Sequence, residues 1–420
     1  MEKQASGLLF SISAETGLSD AERSESMKRS ITLPYAGAHG FFWAANCPLI
    51  AFAAVYLQLK GFDTVQVGTV LSLATIIPAF LQPMVATAAD RSKRFSIRAY
   101  LTALVAVMLA GICVLLLAQP GGTVLLAVFF AVSVIMHLLE PLLNAIASYC
   151  FHHNIPLDFG VSRAAGSLCF AISSFTLGYA AKYWGADSLL LICAGCSAGF
   201  LACLYTLPHM QPNGANQTAA ASSACSLPQF LRKYRRYTMV LVGFFFIAAF
   251  HTMTETYLIN MMERIGGDSS SVGIALLLAN LCEFVVIFFY ERFRKLLSNS
   301  AWLGLTAVCF AGKALLFHLA PSVPLMYLAQ MLQAFTYSFY APSIVHFAND
   351  EVQEADSVKG QSVCVAMFTL GGSLGNYLGG QIIAHASVHA MTFVAFLLAL
   401  LGASIVLLVV CRKPRVKTAA

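Results

Sequence analysis

The sequence predicts an all-α membrane protein in which twelve transmembrane helices form two pseudo-symmetric six-helix bundles. Three observations predict this class: 59% of the 420 residues are apolar, 10% are charged, and the apolar residues form long continuous runs. A soluble domain carries about 25% charged residues, and a helix needs about 20 mostly apolar residues to cross a bilayer. The composition therefore excludes a soluble enzyme and a disordered protein, and the continuous runs exclude a β-barrel, whose strands alternate.

The apolar runs fall into two groups of six on either side of a polar stretch. We expect an N-terminal bundle over 33–207, a flexible cytoplasmic linker over 208–237 and a C-terminal bundle over 238–411. The predicted spans are 35–59, 64–89, 97–118, 122–149, 159–182, 187–207, 238–262, 271–290, 300–319, 323–347, 359–384 and 388–411.

The ends of the chain are polar. Residues 1–32 contain no signal-peptide core, so we expect this segment to be disordered, with Met27 as an alternative start. Residues 412–420 form a basic tail.

Of the 25 Lys and Arg residues, 20 lie in segments on one side of the predicted bilayer and 3 on the other. By the positive-inside rule both termini are cytoplasmic, and we expect a multi-pass protein of the plasma (inner) membrane. The short basic clusters between spans do not indicate a nucleic-acid partner.

The two halves of the chain repeat one pattern. GFDTVQVG at 61–68 and GGDSSSVG at 266–273 share glycine, aspartate, valine and glycine at an offset of 205. The tripeptide GSL at 166–168 recurs at 372–374. In each longer segment the aspartate is suited to cap the helix that follows. Two homologous bundles in parallel topology are typical of a transporter with alternating access between its halves.

Two segments carry a resemblance to a known family. The segment ATAADRSKRF at 86–95 is similar to the G-x-L-A-D-R-x-G-R-K signature of the major facilitator superfamily, with Asp90, Arg91 and Arg94 at its charged positions. The segment FGVSRAAGSLCF at 159–170 resembles a pattern of the branch that contains the lactose permease and the nucleoside and phenylpropionate proton symporters. The resemblance implies the major facilitator fold and a cytoplasmic gate formed by the three charged residues of the first segment.

Five charged residues lie well inside the predicted spans. A charge at the bilayer centre costs about 3 kcal/mol on insertion scales, so each of these residues is a functional candidate. The alternative for each is a buried ion pair that only fixes helix packing. The five residues are Glu140, Arg163, Glu255, Glu283 and Lys313.

We expect substrate to bind at a group of residues from helices 4, 5 and 8. Glu140 and Asn144 share one helix face, and we expect Glu140 to form an ion pair with Arg163 across helices 4 and 5. The resemblance implies that Asn144 and Asn280 stand where the lactose permease has carboxylates, and that Phe170 stands where it stacks an aromatic ring on the sugar. This set suits a hydroxyl-rich ligand, whereas Arg163 together with the lysine of helix 9 equally suits a carboxylate.

The predicted proton-coupling residues are His251, Glu255, Glu283 and Lys313. His251 and Glu255 share a helix face, and by resemblance Lys313 stands where the permease has an arginine that takes part in proton release. Three carboxylates face two cations inside the spans, so one carboxylate is left unpaired in a low dielectric and readily binds a proton. We expect this carrier to be Glu283 or Glu255. The permease's titrating trio in helix 10 is replaced by Gln330, Gln333 and Thr336.

The sequence thus predicts a secondary active transporter, a proton-coupled importer of a sugar or oligosaccharide, a nucleoside or an aromatic acid. We expect a monomer without cofactor or metal. One alternative is a drug or metabolite exporter by proton antiport, but helix 5 (159–182) lacks the Gly-Pro typical of such antiporters. A second alternative is a non-transporting membrane sensor. No Walker A, HExxH or GxSxG motif indicates an enzyme.

Overall fold

The computed structural model describes residues 20–92, 94–153, 155–207, 226–353 and 356–411, which are almost entirely helical and contain no strand. A π-helical turn, Val114–Ala118, extends α4, and 3₁₀ segments follow α11 and α13 at Arg294–Leu296 and Leu332–Phe335. The helices in chain order are α1 Asp20–Leu49, α2 Ala53–Leu59, α3 Thr64–Arg91, α4 Ile97–Cys113, α5 Gly122–His152, α6 Phe159–Trp184, α7 Ala186–Thr206, α8 Leu227–Lys233, α9 Arg235–Thr256, α10 Leu258–Glu263, α11 Ser269–Phe293, α12 Asn299–Leu319, α13 Val323–Met331, α14 Tyr337–Glu351, α15 Ser357–His385 and α16 Val388–Val410.

The helices follow the twelve predicted spans. Nine of the described helices are long and apolar enough to cross a membrane, and α1 with α2 forms a tenth span that is bent by 42°. The two remaining predicted spans are α13 with α14, which are separated by the 3₁₀ segment, and α15, whose 29 residues include a stripe of glycines. The chain is therefore an all-α membrane protein.

Two bundles of six spans are built alike. The first span of each bundle packs against the fifth and sixth: α1 lies on α6 and α7, and α9 lies on α15 and α16. The bundles meet through two further helix pairs, α3 with α15 and α6 with α11. In each pair the second span of one half packs against the fifth span of the other half, as two related halves require.

The repeated aspartates cap the second helix of each half. Asp63 accepts a hydrogen bond from the backbone N–H of Gln66 at 2.8 Å, and Asp268 accepts one from the N–H of Ser271 at 3.1 Å. The glycine that precedes each cap by two residues has a positive φ, 87° at Gly61 and 81° at Gly266, a conformation that only glycine adopts at little cost. The repeated motif is thus a helix-start signal.

The bundles are joined at the end of the molecule that carries these caps, which we call the closed end. The Tyr257 hydroxyl donates to the backbone oxygen of Thr64 at 3.2 Å, across the two bundles. Lys182 forms an ion pair with Asp268 at 2.9 Å. At the crossing of α6 and α11, a Cβ on Gly273 would lie 3.0 Å from Cα of Gly178, so the small residues permit this close contact.

At the opposite end, which we call the open end, the same helices expose apolar side chains. Met84 of α3 is 67% exposed and Val365 of α15 is 61% exposed. The named hydrogen bonds and the ion pair that join the two bundles lie toward the closed end.

Two predicted boundaries are wrong. The first helix begins at Asp20, inside the segment 1–32 that was expected to be disordered, because residues 20–29 are rich in the helix formers Ala, Glu, Met, Lys and Arg. The end of the predicted linker is also helical: α8 places Phe230 in the core. Residues 1–19, 208–225 and 412–420 lie outside the described residues.

Candidate functional site

Lys313 of α12 is buried in the C-terminal bundle, with no exposed surface. Its ammonium lies 3.1 Å from Oε1 of Glu255 on α9 and donates to Oε1 of Gln333 at 2.9 Å. A buried cation is stable only when it is paired and hydrogen-bonded. Glu255 and Gln333 together satisfy this requirement.

The hydrogen bonds continue from Lys313 to a second carboxylate. The amide nitrogen of Gln333 donates to Oε2 of Glu283 at 3.3 Å, and that of Gln330 lies 3.3 Å from Oε1 of Glu255. We call these five residues the Lys313 network. Within it, one cation is in direct contact with Glu255 and is linked to Glu283 only through an amide.

The break between α13 and α14 positions the glutamines. The chain is 3₁₀-helical over Leu332–Phe335 and then kinks at Thr336, with φ −105° and ψ −99°. At the kink the carbonyl of Gln333 accepts hydrogen bonds from the N–H of Thr336 at 3.3 Å and from the Ser338 hydroxyl at 2.8 Å. Such breaks are tolerated inside a membrane protein where neighbouring groups satisfy the backbone.

In the N-terminal bundle, Arg163 of α6 is held by an aromatic ring. Its guanidinium lies 4.5 Å from the ring centroid of Trp43 and donates to the Ser167 hydroxyl at 3.0 Å. A Cβ on Gly166 would lie 2.5 Å from Trp43, so this glycine lets the indole pack flat on α6. The expected ion pair between Arg163 and Glu140 is not formed, because the guanidinium packs on Trp43 of α1 and donates to Ser167 of its own helix.

The other predicted substrate residues are spread over three helices. Glu140 and Asn144 are half-buried on α5, and among the described residues Glu140 has no hydrogen-bond or ion-pair partner. Asn280 donates to the backbone oxygen of Leu276 in its own helix at 2.7 Å. Phe170 contacts the Trp43 ring edge-to-face at 6.3 Å. The structure therefore brings Phe170 and Arg163 together at Trp43.

Tyr337 marks the point where charges from both bundles converge. The charges of Glu140 and Arg163 from one bundle, and of Glu283 from the other, all act on its side chain. The His251 ring stacks on the Tyr337 ring at 5.8 Å and an angle of 15°, and makes no hydrogen bond to Glu255, although both lie on α9. Tyr337 is therefore close to charged residues of both the predicted substrate set and the predicted proton set.

The predicted gate lies at the open end. Asp90 and Arg91 form the end of α3, and Arg94 is exposed, with its guanidinium 5.4 Å from the ring centroid of Phe95. No group of three or more His, Cys, Asp or Glu side chains that could hold a metal occurs among the described residues.

Five contributing residues are not predicted as site residues from the sequence. The sequence identifies Gln330 and Gln333 only as replacements that do not titrate, and it does not link Trp43, Ser167 or Tyr337 to the charged residues. Polar residues inside an apolar span are costly, so the two glutamines carry a signal of their own. Trp43 and Ser167, the partners of Arg163, carry no comparable signal in the sequence, because the packing of α1 against α6 brings them to the guanidinium.

Comparison with known proteins gives a consistent picture. A model of the MFS_1 like family matches residues 33–395. The chain is 24% identical to the maltose permease of Geobacillus stearothermophilus over 385 residues, which are 89% of this chain and 92% of that protein. The structure is similar to that of the nucleoside transporter NupG, with a TM-score of 0.73 at 18% identity, over 91% of this chain and 98% of NupG. It is also similar to the POT family transporter PepTSo, with a TM-score of 0.68 at 12% identity, over 91% of this chain and 97% of PepTSo.

Proposed function

The chain belongs to the MFS_1 like family, and on that premise we propose that it is a proton-coupled importer of an uncharged, hydroxyl-bearing organic solute. It is a multi-pass membrane transporter of the major facilitator type and not an enzyme. The proposal adds the substrate class, the coupling ion, the direction, a monomeric state and a plasma-membrane location with cytoplasmic termini.

The Lys313 network is the observation that carries the proton coupling. Lys313 contacts Glu255 directly at 3.1 Å, while Glu283 accepts a hydrogen bond from Gln333. A carboxylate without a cation in direct contact binds a proton more readily in a low dielectric. Of the two carboxylates in the Lys313 network, we therefore assign the proton to Glu283, and Lys313 stabilises Glu255 in its ionised form. Protonation and deprotonation of Glu283 change the charge of the cavity during each transport cycle.

The groups around the cavity favour an uncharged solute with several hydroxyls. Glu140 and Glu283 offer hydrogen-bond acceptors, and Arg163 offers donors in a fixed fork held by Trp43. Two carboxylates without an ion pair disfavour an anionic substrate such as an aromatic acid. The similarity to a maltose permease and to a nucleoside transporter supports this choice, since sugars and nucleosides are both uncharged and rich in hydroxyls.

The arrangement of the two bundles supports alternating access. In the orientation predicted from the basic residues, the closed end faces outward and the open end faces the cytoplasm. The described contacts at the closed end are a few hydrogen bonds, the ion pair between Lys182 and Asp268, and close glycine crossings. These contacts are small enough to break and re-form as the bundles rock about the central cavity.

Counterflow in proteoliposomes tests the function. Purified protein is reconstituted with maltose, adenosine or phenylpropionate inside, and the exchange of the same labelled compound is followed. We expect exchange of maltose or adenosine and none of phenylpropionate. Binding without any exchange would favour a sensor, and exchange of phenylpropionate alone would contradict the substrate class.

A pair of matched variants tests the coupling. Glu283→Gln is expected to abolish accumulation driven by a pH gradient, with acidic medium outside, and to retain counterflow, because the amide keeps its shape but carries no proton. Glu263→Gln is the control, since Glu263 is an exposed carboxylate at the end of α10. Accumulation that survives in Glu283→Gln would rule out this carrier.

A further inference from the structure

A cavity of about 300 Å³ lies between α14 and α15, next to the Lys313 network. The two helices have few contacts with each other, so the space between them stays open. Tyr237 of α9 lines its base, and the exposed Val345 and Val365 line its mouth. Val345 is 44% exposed, so the cavity is reached from outside the protein.

One wall of the cavity is aromatic. The rings of Tyr340 and Phe368 stack at 5.3 Å and an angle of 22°, and Tyr337 meets Phe368 edge-to-face at 6.0 Å. The other lining residues include Ala341 and Ile344, small or branched aliphatic side chains on the same helix as these two tyrosines. A cavity lined by aromatic rings and aliphatic side chains, which we call the slot, suits an uncharged ring.

The slot carries no charge. None of the described residues that line it is acidic or basic, and its polar groups are those of Gln361, Cys364, Thr369 and the tyrosines. The Tyr237 hydroxyl does not offer its proton to a ligand, because it donates to the backbone oxygen of Gly360 at 2.9 Å. The lining therefore favours an uncharged ring over an organic cation or an anion.

Tyr337 connects the slot to the charged centre. One face of its ring lies on the ring of His251, and Tyr337 also lines the cavity. Gln333 of the Lys313 network lies four residues before Tyr337, so the network and the slot are neighbours along the chain. A molecule that reaches both carries a flat ring on one side and hydroxyls on the other.

We propose that the slot between α14 and α15 is a binding subsite for an uncharged planar ring of the transported solute, separate from the hydroxyl-binding centre. The size fits, because an apolar cavity of about 150 Å³ holds one benzene ring. The subsite rests on the proposed function for its ligand and narrows the substrate to hydroxyl-bearing molecules with a ring, such as aryl glycosides or nucleosides. The ring of the solute binds in the slot, and its hydroxyls bind at the neighbouring charged centre.

Labelling of single cysteines maps the subsite directly. Val345→Cys places a thiol in the slot, and Asn349→Cys places one on the same face of α14, one turn further on and outside the slot. The purified full chain is labelled with N-ethylmaleimide, and the rate at each position is read by mass spectrometry of the peptides. The probes are phenyl β-glucoside with methyl β-glucoside, and adenosine with ribose, so each pair differs only by its ring.

The ring-bearing probe of a pair is expected to slow labelling of Val345→Cys about fivefold at several times its Kd, by mass action. The ringless partner and the control position are expected to show no change. Equal protection by both members of a pair, or no protection by any probe, would overturn the subsite.

Counterflow with the same probes separates the two proposals. Exchange of a probe without protection of Val345→Cys contradicts the subsite and leaves the transport function intact. Protection without exchange supports the subsite and contradicts transport. Val365→Trp fills the slot and is expected to remove the advantage of phenyl over methyl glucoside, whereas Val358→Trp, two turns away on α15, is expected to keep it.

Discussion

Gln58 and Asn260 hold the two bundles together through a reciprocal pair of amides. The amide nitrogen of Gln58 donates to Oδ1 of Asn260 at 2.9 Å, and that of Asn260 donates back to Oε1 of Gln58 at 3.0 Å. The two residues are 202 positions apart, close to the offset of the internal repeat. The contact therefore joins nearly corresponding parts of the two halves, the ends of their first spans.

Removal of this amide pair should open the closed end. Gln58→Leu breaks two neutral hydrogen bonds worth about 1 kcal/mol each, so the equilibrium between the closed and open states of this end should shift about 30-fold toward the open one. Electron–electron distance measurements between spin labels at Leu59 and Glu263, both exposed at this end, report the change. The exchanged variant Gln58→Asn with Asn260→Gln keeps both amides and should retain the short distance. A short distance in Gln58→Leu would show that the pair is dispensable.

The close crossing of α6 and α11 should be sensitive to the addition of a single methyl group. A Cβ on Gly273 would lie 2.6 Å from the backbone oxygen of Ser174, so Gly273→Ala must push the helices apart. We expect slower transport and a shift away from the closed end in the same distance measurement. Gly195→Ala is the control, because no described atom lies within 4 Å of the added carbon. Equal transport by the two variants would contradict the tight crossing.

The ion pair at the closed end should make stability depend on acid pH. Burial alone would raise the pKa of Asp268, but hydrogen bonds from Ser270, Lys182 and the backbone of Ser271 lower this pKa to about 2. A carboxyl with a lowered pKa in the folded state adds stability above its unfolded pKa of about 3.9, and this is lost as the pH falls toward 2.

Thermal unfolding of the wild type and of Asp268→Asn tests this dependence, since asparagine keeps the helix cap. The melting temperatures should differ by a constant amount above about pH 5 and converge as the pH falls below about 4. High salt should reduce the difference, because the pair with Lys182 is partly exposed. A difference that persists unchanged at pH 3 would contradict the assigned pKa.

The buried pair of Lys313 and Glu255 should be costly to break from either side. Glu255→Gln leaves the ammonium buried without a counter-charge, and loss of one partner of a buried pair costs about 3–5 kcal/mol. The double variant Glu255→Gln with Lys313→Gln removes both charges and should recover most of this stability. Chemical or thermal unfolding of the three proteins measures the effect. A double variant as unstable as the single one would show that the charges are not paired in the folded protein.

The sequence was sufficient for the architecture and insufficient for the side-chain partners. Apolar run length predicted the spans, and the repeated glycine and aspartate at 61–68 and 266–273 predicted two matched helix starts. Both signals are local, so no tertiary information was needed. The predicted start of α1 is wrong because a polar composition does not by itself exclude a helix, and residues 20–29 favour one.

In the candidate site, the sequence predicts which residues are charged but not all of their partners. The cost of charge in a membrane identified Lys313 and Glu255, which do form a pair. The same reasoning paired Arg163 with Glu140, but the guanidinium lies on Trp43, and cation–π contacts between distant helices leave no charge pattern to count. The kink at Thr336 brings Gln333 to Lys313. It depends on the packing of α13 and α14, so the residue types alone do not predict it.

The burial of Lys313 has a consequence for the order of events in transport. Its side chain has no surface in contact with solvent, whereas that of Glu255 is 25% exposed. Solvent therefore meets the carboxylate before the ammonium, which has no direct route for hydrogen exchange in this state. Lys313 is a fixed, dehydrated positive charge beside the acids of its network.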